Sequence, residues 1–212
     1  MTLAADTARP MTFFEELRLQ RWDDHRYYHR SRINQSLHLL SALCFLGAYA
    51  SVPFNPVATA MLGWVGAMVL RQTGHFFFEP KGYDAVNDAT HEHKENIKVG
   101  YNLRRKVVLL SAWAVSPLVV VVTPTLFGLA RPYADWHDFV HHVSVLWIAL
   151  GAAGLLARTI WLCATRNVQT GLVWCSKILT DPFHDIALYY RSPLRLIGGE
   201  WLDPMVHARA PR

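Results

Sequence analysis

Charge is scarce in this chain: Asp, Glu, Lys and Arg make up 17% of its 212 residues, against about 25% in an ordinary soluble domain. Cysteine is scarcer. Cys44, Cys163 and Cys175 stand alone, with no CxxC and no paired spacing, which argues against a disulfide scaffold and a zinc ribbon and predicts free, buried thiols. No internal repeat or low-complexity tract stands out. The first apolar block begins only near Leu37, behind an Arg-rich segment. A cleavable signal peptide is therefore not expected, and the first membrane helix is expected to act as its own targeting signal.

What the chain has instead is apolar residues, 52% of the total, gathered in blocks that are apolar all round. Helices that face lipid have this pattern. Four blocks, 37–54, 56–77, 107–130 and 143–165, each reach the roughly 17–25 residues needed to cross a hydrocarbon core. Arg71 interrupts the second block, and Pro53 and Pro56 mark a tight turn between the first two. Ahead of them Thr12 caps a helix over 13–32, with Glu15 completing a capping box; this stretch is amphipathic and suits the interface. Residues 168–190 are broken by Lys177 and Asp181–Pro182 and read as re-entrant or interfacial. The expectation is an all-α, polytopic membrane helical bundle, one integral membrane domain over 1–212. It comprises a leader and amphipathic helix to residue 36, a four-helix core over 37–165 and a tail from 166.

Basic residues set the orientation. Arg9, Arg18, Arg21, Arg26, Arg30 and Arg32 precede the first block, and the 53–56 turn has none. Lys81, Lys94, Lys98, Arg104, Arg105 and Lys106 follow the second block; the next loop has only Arg131, and the tail is basic again. This alternation places both termini in the cytoplasm. The net charge of +5 flanks apolar blocks rather than forming a run, which favours an anionic membrane surface over nucleic acid.

Under this topology His25, His29, His38, His75, His91, His93 and His184, out of 11 histidines, share the cytoplasmic face. His25 and His29 are four apart, as are Asn34 and His38, so each pair projects from one side of a helix. Arg71, His75 and Glu79 continue the same spacing at the inner end of the second block, where ionisable groups are costly and functional by default. His91-Glu92-His93 adds a polar cluster. Imidazoles mixed with a carboxylate suit iron, zinc or copper, with Asn34, Glu79 and Glu92 available to orient the rings. Each of these has a plainer reading too. His184 and His207 suit headgroup or helix-end contacts, His25 a solvated face, and His91 and His93 a polar loop. Asp185 is either a partner of His184 or a helix-start residue after Pro182. Tyr27, Tyr28, Trp64 and Trp136 suit interface anchors, and Arg158 either snorkels or binds an acidic lipid group. His137-x3-His141-His142 resembles a box of membrane di-iron hydroxylases, but it falls across the membrane from the other histidines and has no HxxHH partner.

Tyr28-His29-x4-Asn34-x3-His38, followed by Gly74-His75-x2-Phe78-Glu79-Pro80, resembles a small family of fungal endoplasmic-reticulum enzymes with bacterial relatives. These are multi-spanning, Fe(II)-dependent dioxygenases that degrade 2-hydroxy fatty acids during phytosphingosine breakdown. The resemblance covers roughly residues 20–80. The chain departs from the family pattern in having Leu39-Leu40-Ser41 after the second histidine, one residue fewer between Gln72 and Gly74, and a longer polar loop over 81–106.

The resemblance implies iron ligation by His29, His38 and His75; the shared face and local spacing add His91 and His93, and then His25 and His184, as further candidates. It implies removal of C1 from a 2-hydroxy acid with dioxygen. The carboxylate and hydroxyl of such a lipid can chelate the metal, the acyl tail lies between helices, and Arg71 meets the carboxylate. The rival readings are a di-iron lipid hydroxylase or desaturase, a haem carrier, and a structural or lipid-binding membrane protein. A homo-oligomer is compatible with each.

Overall fold

The computed structural model of the protein describes residues 9–101 and 103–205; His207 and most of the leader lie outside them. Among the described residues every regular element is a helix, and the only β-type pairings are two isolated bridges, Ser31 with Leu202 and Asp84 with Ala89.

The chain opens with α1 (Phe13–Tyr28), started by the Thr12–Glu15 capping box. It turns at His29–Ser31 into α2 (Arg32–Ser51), capped by Ser31. A second long helical stretch runs without a break through α3 (Pro56–Ala60), a π-helical stretch π1 (Met61–Met68), α4 (Val69–Thr73) and a second, π2 (Gly74–Phe78). Wide π turns of this kind concentrate at functional sites, and π2 carries His75. The short α5 (His91–Ile97) lies in the polar loop. Then come α6 (Leu103–Val115), α7 (Pro117–Val122), α8 (Trp136–Thr165), α9 (Val168–Tyr189) and α10 (Ser192–Ile197).

Two stretches, Arg104–Val122 and Trp136–Thr165, are helices long and apolar enough to cross a membrane. Only 11% and 22% of their most apolar windows are buried, so their apolar side chains face outward rather than into a core. Leu118, Val121, Leu156, Ile160 and Trp161 are each more than half exposed. The third apolar block ends earlier than expected. Residues 123–130 are turns in which Leu126, Phe127 and Gly128 take positive φ, because Pro124 cannot continue a helix.

The other long helices carry too many inward polar groups to look as apolar. On α2, Arg32, Asn34, Gln35, His38 and Ser41 are buried. On α9, Lys177, Asp181, Asp185 and Tyr189, each four residues apart, are buried on one face. This corrects the reading of 168–190 as a broken segment: α9 is one helix of 22 residues. Pro182 costs it a backbone hydrogen bond, but the charges do not interrupt it because each is paired inside the protein.

α9 packs along both α2 and α8. Where α8 and α9 meet, a Cβ on Gly171 would come within 2.3 Å of Cys163 Sγ and 2.9 Å of the Thr159 carbonyl oxygen. Only glycine permits that approach. The three cysteines are free and half-buried.

α1 docks on α9 through polar groups, not through an apolar stripe. The Thr170 hydroxyl donates to Glu16 at 2.6 Å, Arg21 donates to Thr180 at 2.7 Å, and Lys177 is paired with Asp24 and, at 3.1 Å, with Asp181. These contacts hold α1 within the fold along α9. Tyr27 and Tyr28 are likewise buried, and Trp64 stacks on Trp113 while donating to the Trp147 carbonyl, so these three are packing residues. Trp136 is 70% exposed. Arg158 donates to the carbonyls of Val99 and Gly100, tying α8 to the loop before α6.

The C-terminal segment is docked as well. It crosses the α1–α2 turn, where Arg32 N–H donates to the Trp201 carbonyl and Asp203 N–H to the Arg30 carbonyl. Arg32 is paired with both Glu200 and Asp203.

Candidate metal centre

His29 is the residue that ends α1; His38 lies nearly two turns into α2, and His75 lies in π2. Folding brings the three together, with ring centroids 4.0 Å apart for His29–His38, 5.0 Å for His38–His75 and 5.2 Å for His29–His75. One nitrogen from each lies within 4.8 Å of the others. Ligands about 2.1 Å from one ion lie at most about 4.2 Å apart, so small ring rotations suffice to close the set. All three residues are buried, His38 completely.

The close fit has an identifiable cause in the sequence. The Asn34 side-chain amide donates to the Tyr28 carbonyl at 2.8 Å, and the Gln35 amide donates to the His29 carbonyl at 2.8 Å. Both bonds fold the end of α1 back onto α2. π2 then passes so near that a Cβ on Gly74 would fall 2.0 Å from Asn34 Oδ1. Asn34 and Gly74 thus act in close packing, and Tyr28 anchors α5 by donating to the Lys94 carbonyl.

Each ring is held by its Nδ1. His38 Nδ1 donates to the Asn34 carbonyl at 3.0 Å, and His75 Nδ1 donates to Glu79 Oε2 at 2.7 Å. His29 Nδ1 lies 3.0 Å from the Tyr189 hydroxyl. A histidine whose Nδ1–H is engaged presents a lone pair at Nε2. Nε2 of His29 and of His38 is buried without a hydrogen-bond partner, a deficit of about 1–3 kcal/mol for each group if nothing fills it. A cation shared among the rings would remove that deficit. Burial, reinforced by His38 and Arg71, holds His29 well below its ordinary pKa and therefore neutral, as a ligand must be.

Glu79 is the outer carboxylate of this arrangement. Burial raises its pKa, opposed mainly by Lys98, whose Nζ lies 3.8 Å from Oε1. A carboxylate behind a ligating imidazole fixes the ring and raises its basicity.

The remaining sequence candidates stand elsewhere. His91 and His93 sit on α5 with Glu92 and are not part of the trio; His93 and Glu92 are exposed and His91 is half-buried. His184 lines a narrow polar cleft beside His29, with Arg21, Asp24, Lys177 and Asp181. His25 Nδ1 faces the Tyr189 hydroxyl at 3.2 Å. Arg71 is paired with Asp185, not left free for a substrate carboxylate, although its Nε is buried without a partner. His142 turns both ring nitrogens to backbone carbonyls, of Asp138 and Arg131. At about 1.5 Å per residue, the start of α8 stands roughly 30 Å from Arg158, which touches the loop before α6.

Tyr189 and Asp203 have no role at the metal in the sequence, and Asp185, offered there as a partner of His184, pairs with Arg71 instead. The signal for Tyr189 is the four-residue spacing 177, 181, 185, 189. No family model, curated protein or solved structure matches the chain.

Proposed function

We propose that this protein is a multi-pass membrane dioxygenase in which His29, His38 and His75 bind Fe(II), and that it shortens a 2-hydroxy fatty acid by one carbon. The observation that carries this reading is the convergence of three buried imidazoles, two of them with an unpartnered Nε2. They lie within the paired motif that resembles the 2-hydroxy acid dioxygenases.

Three neutral imidazoles leave coordination positions open for other ligands. Iron in such a site supplies the redox chemistry that dioxygen requires. The charge balance favours an anionic substrate: a divalent ion among neutral rings is a buried charge needing compensation, and a 2-hydroxy carboxylate provides it. The lipid's tail would be taken by the apolar helices next to the site. No second cluster of three potential ligands occurs among the described residues, which favours one iron over two. The decisive test is metal analysis of protein purified anaerobically. One non-haem iron per chain is the expected result; two would establish the di-iron rival, and a Soret band the haem carrier.

In this reading residues 32–51, 56–78, 107–122 and 136–165 cross the membrane, with both termini and the 81–106 loop cytoplasmic. The expectation rests on the alternation of Lys and Arg. With the native cysteines replaced, a cysteine near His137 should react with an impermeant thiol reagent only from the side opposite to one near His91. Labelling of both from a single side would defeat this topology.

A further inference from the structure

Tyr189 is 1% exposed, yet it bears a hydroxyl in the middle of the protein. That hydroxyl is shared between two histidines, His29 Nδ1 at 3.0 Å and His25 Nδ1 at 3.2 Å. His25 in turn directs Nε2 toward Asp203, 4.0 Å from Oδ2. Asp203 is itself fixed: Arg32 Nη1 donates to Oδ2 at 2.8 Å, Gln35 Nε2 donates at 3.0 Å, and the Met205 N–H donates to Oδ1 at 3.0 Å. These groups come from four places, namely the last turn of α1, the first turn of α2, the end of α9 and the docked C-terminal segment.

A phenol has one proton to donate, so two imidazole nitrogens on one hydroxyl cannot both accept from it. Asp203 resolves the direction. Its carboxylate favours a proton on the facing Nε2 of His25, which leaves His25 Nδ1 as the acceptor of the Tyr189 O–H. The Tyr189 oxygen is then free to accept from His29 Nδ1–H. The outcome at the far end is a lone pair at His29 Nε2, the atom that faces the trio.

We propose that Tyr189 is a positioning residue for His29, and that His25 and Asp203 act through it to set the proton arrangement a metal ligand requires. This rests on the reading of His29, His38 and His75 as a metal site. It assigns His25 to orienting a ligand, not to ligation, and gives the C-terminal segment a role at the centre. His38 and His75 need no such chain, since a backbone carbonyl and a carboxylate can only accept from their Nδ1–H. His29 alone faces a group able both to donate and to accept.

The test uses the full chain in detergent with Co(II) as the probe, followed by titration and by its visible ligand-field absorption. Tyr189→Phe should weaken Co(II) binding by about 10–100-fold, the range for partners behind a ligand, and should alter the Co(II) spectrum. His25→Leu removes the acceptor and should weaken binding in the same direction. His25→Asn keeps an acceptor oxygen near the position of Nδ1 and should restore most of the affinity, a recovery that loss of packing alone would not give. Because the groups act in series, Tyr189→Phe combined with His25→Leu should bind no more weakly than Tyr189→Phe. Parent-like affinity and spectrum in Tyr189→Phe would overturn the inference while leaving the metal site standing. So would a His25→Asn variant as impaired as His29→Ala, since that would make His25 a ligand. A parent protein that binds no Co(II) removes the metal reading and the inference with it.

Discussion

His38→Ala is expected to purify without iron under conditions in which the parent retains it. His38 is completely buried, its Nδ1 is fixed by the Asn34 carbonyl, and its Nε2 has no partner. With three protein ligands, removal of one leaves two imidazoles, and the loss should exceed the roughly 10–100-fold produced by altering partners behind the ligands. His29→Ala and His75→Ala should behave alike. His137→Ala should keep its metal, because His137 is not part of the trio. Removing a buried ring also leaves a cavity, so metal loss must be separated from misfolding. His38→Asn, which retains a polar group at the site, and helicity by circular dichroism serve that purpose. Full iron occupancy in all three alanine variants, each folded, would remove the metal centre from the account.

The helical class and the trio were legible because both depend on local spacing. His29 and His38 flank the junction of two helices, and the Asn34–His38 and His75–Glu79 pairs at four residues announce which groups share a helix face. Two apolar stretches were legible because their composition is uniform. The polar helices were harder. Lys177 and Asp181–Pro182 read as interruptions only so long as their partners are unknown; with Asp24 and Arg21 supplied by α1, and Asp185 paired by Arg71, the same residues form the inner face of α9. Those partners are more than a hundred residues apart in sequence, and no local pattern pairs them. Nor does composition disclose that the tail folds over the α1–α2 turn, since backbone bonds such as Arg32 N–H to the Trp201 carbonyl are sequence-independent. Arg158 shows the same limit: an arginine in an apolar block, expected either to snorkel or to bind an acidic lipid group, donates to two loop carbonyls.

The iron-loaded protein, given dioxygen and a long-chain 2-hydroxy acid, is expected to yield carbon dioxide and the acid shortened by one carbon. The stoichiometry closes without a separate reductant. The bond between C1 and C2 breaks, C1 leaves as carbon dioxide, and C2 becomes the new carboxyl carbon. One dioxygen takes up the four electrons released, and one water is formed. The protein's part is placement. A carboxylate and its neighbouring hydroxyl offer two oxygens at fixed separation. An unsubstituted fatty acid of equal length has the same tail and carboxylate but lacks the second oxygen. Since misplacement by about 1 Å costs on the order of 100-fold, it should react at least about 100-fold more slowly. Carboxyl-labelled substrate separates the outcomes by mass spectrometry. Label recovered in carbon dioxide, with an unlabelled acid one carbon shorter, is the expected result. Hydroxylated or desaturated product of unchanged length would transfer the site to the di-iron class, whereas an iron-loaded protein inert toward both acids would reject a 2-hydroxy acid as the substrate.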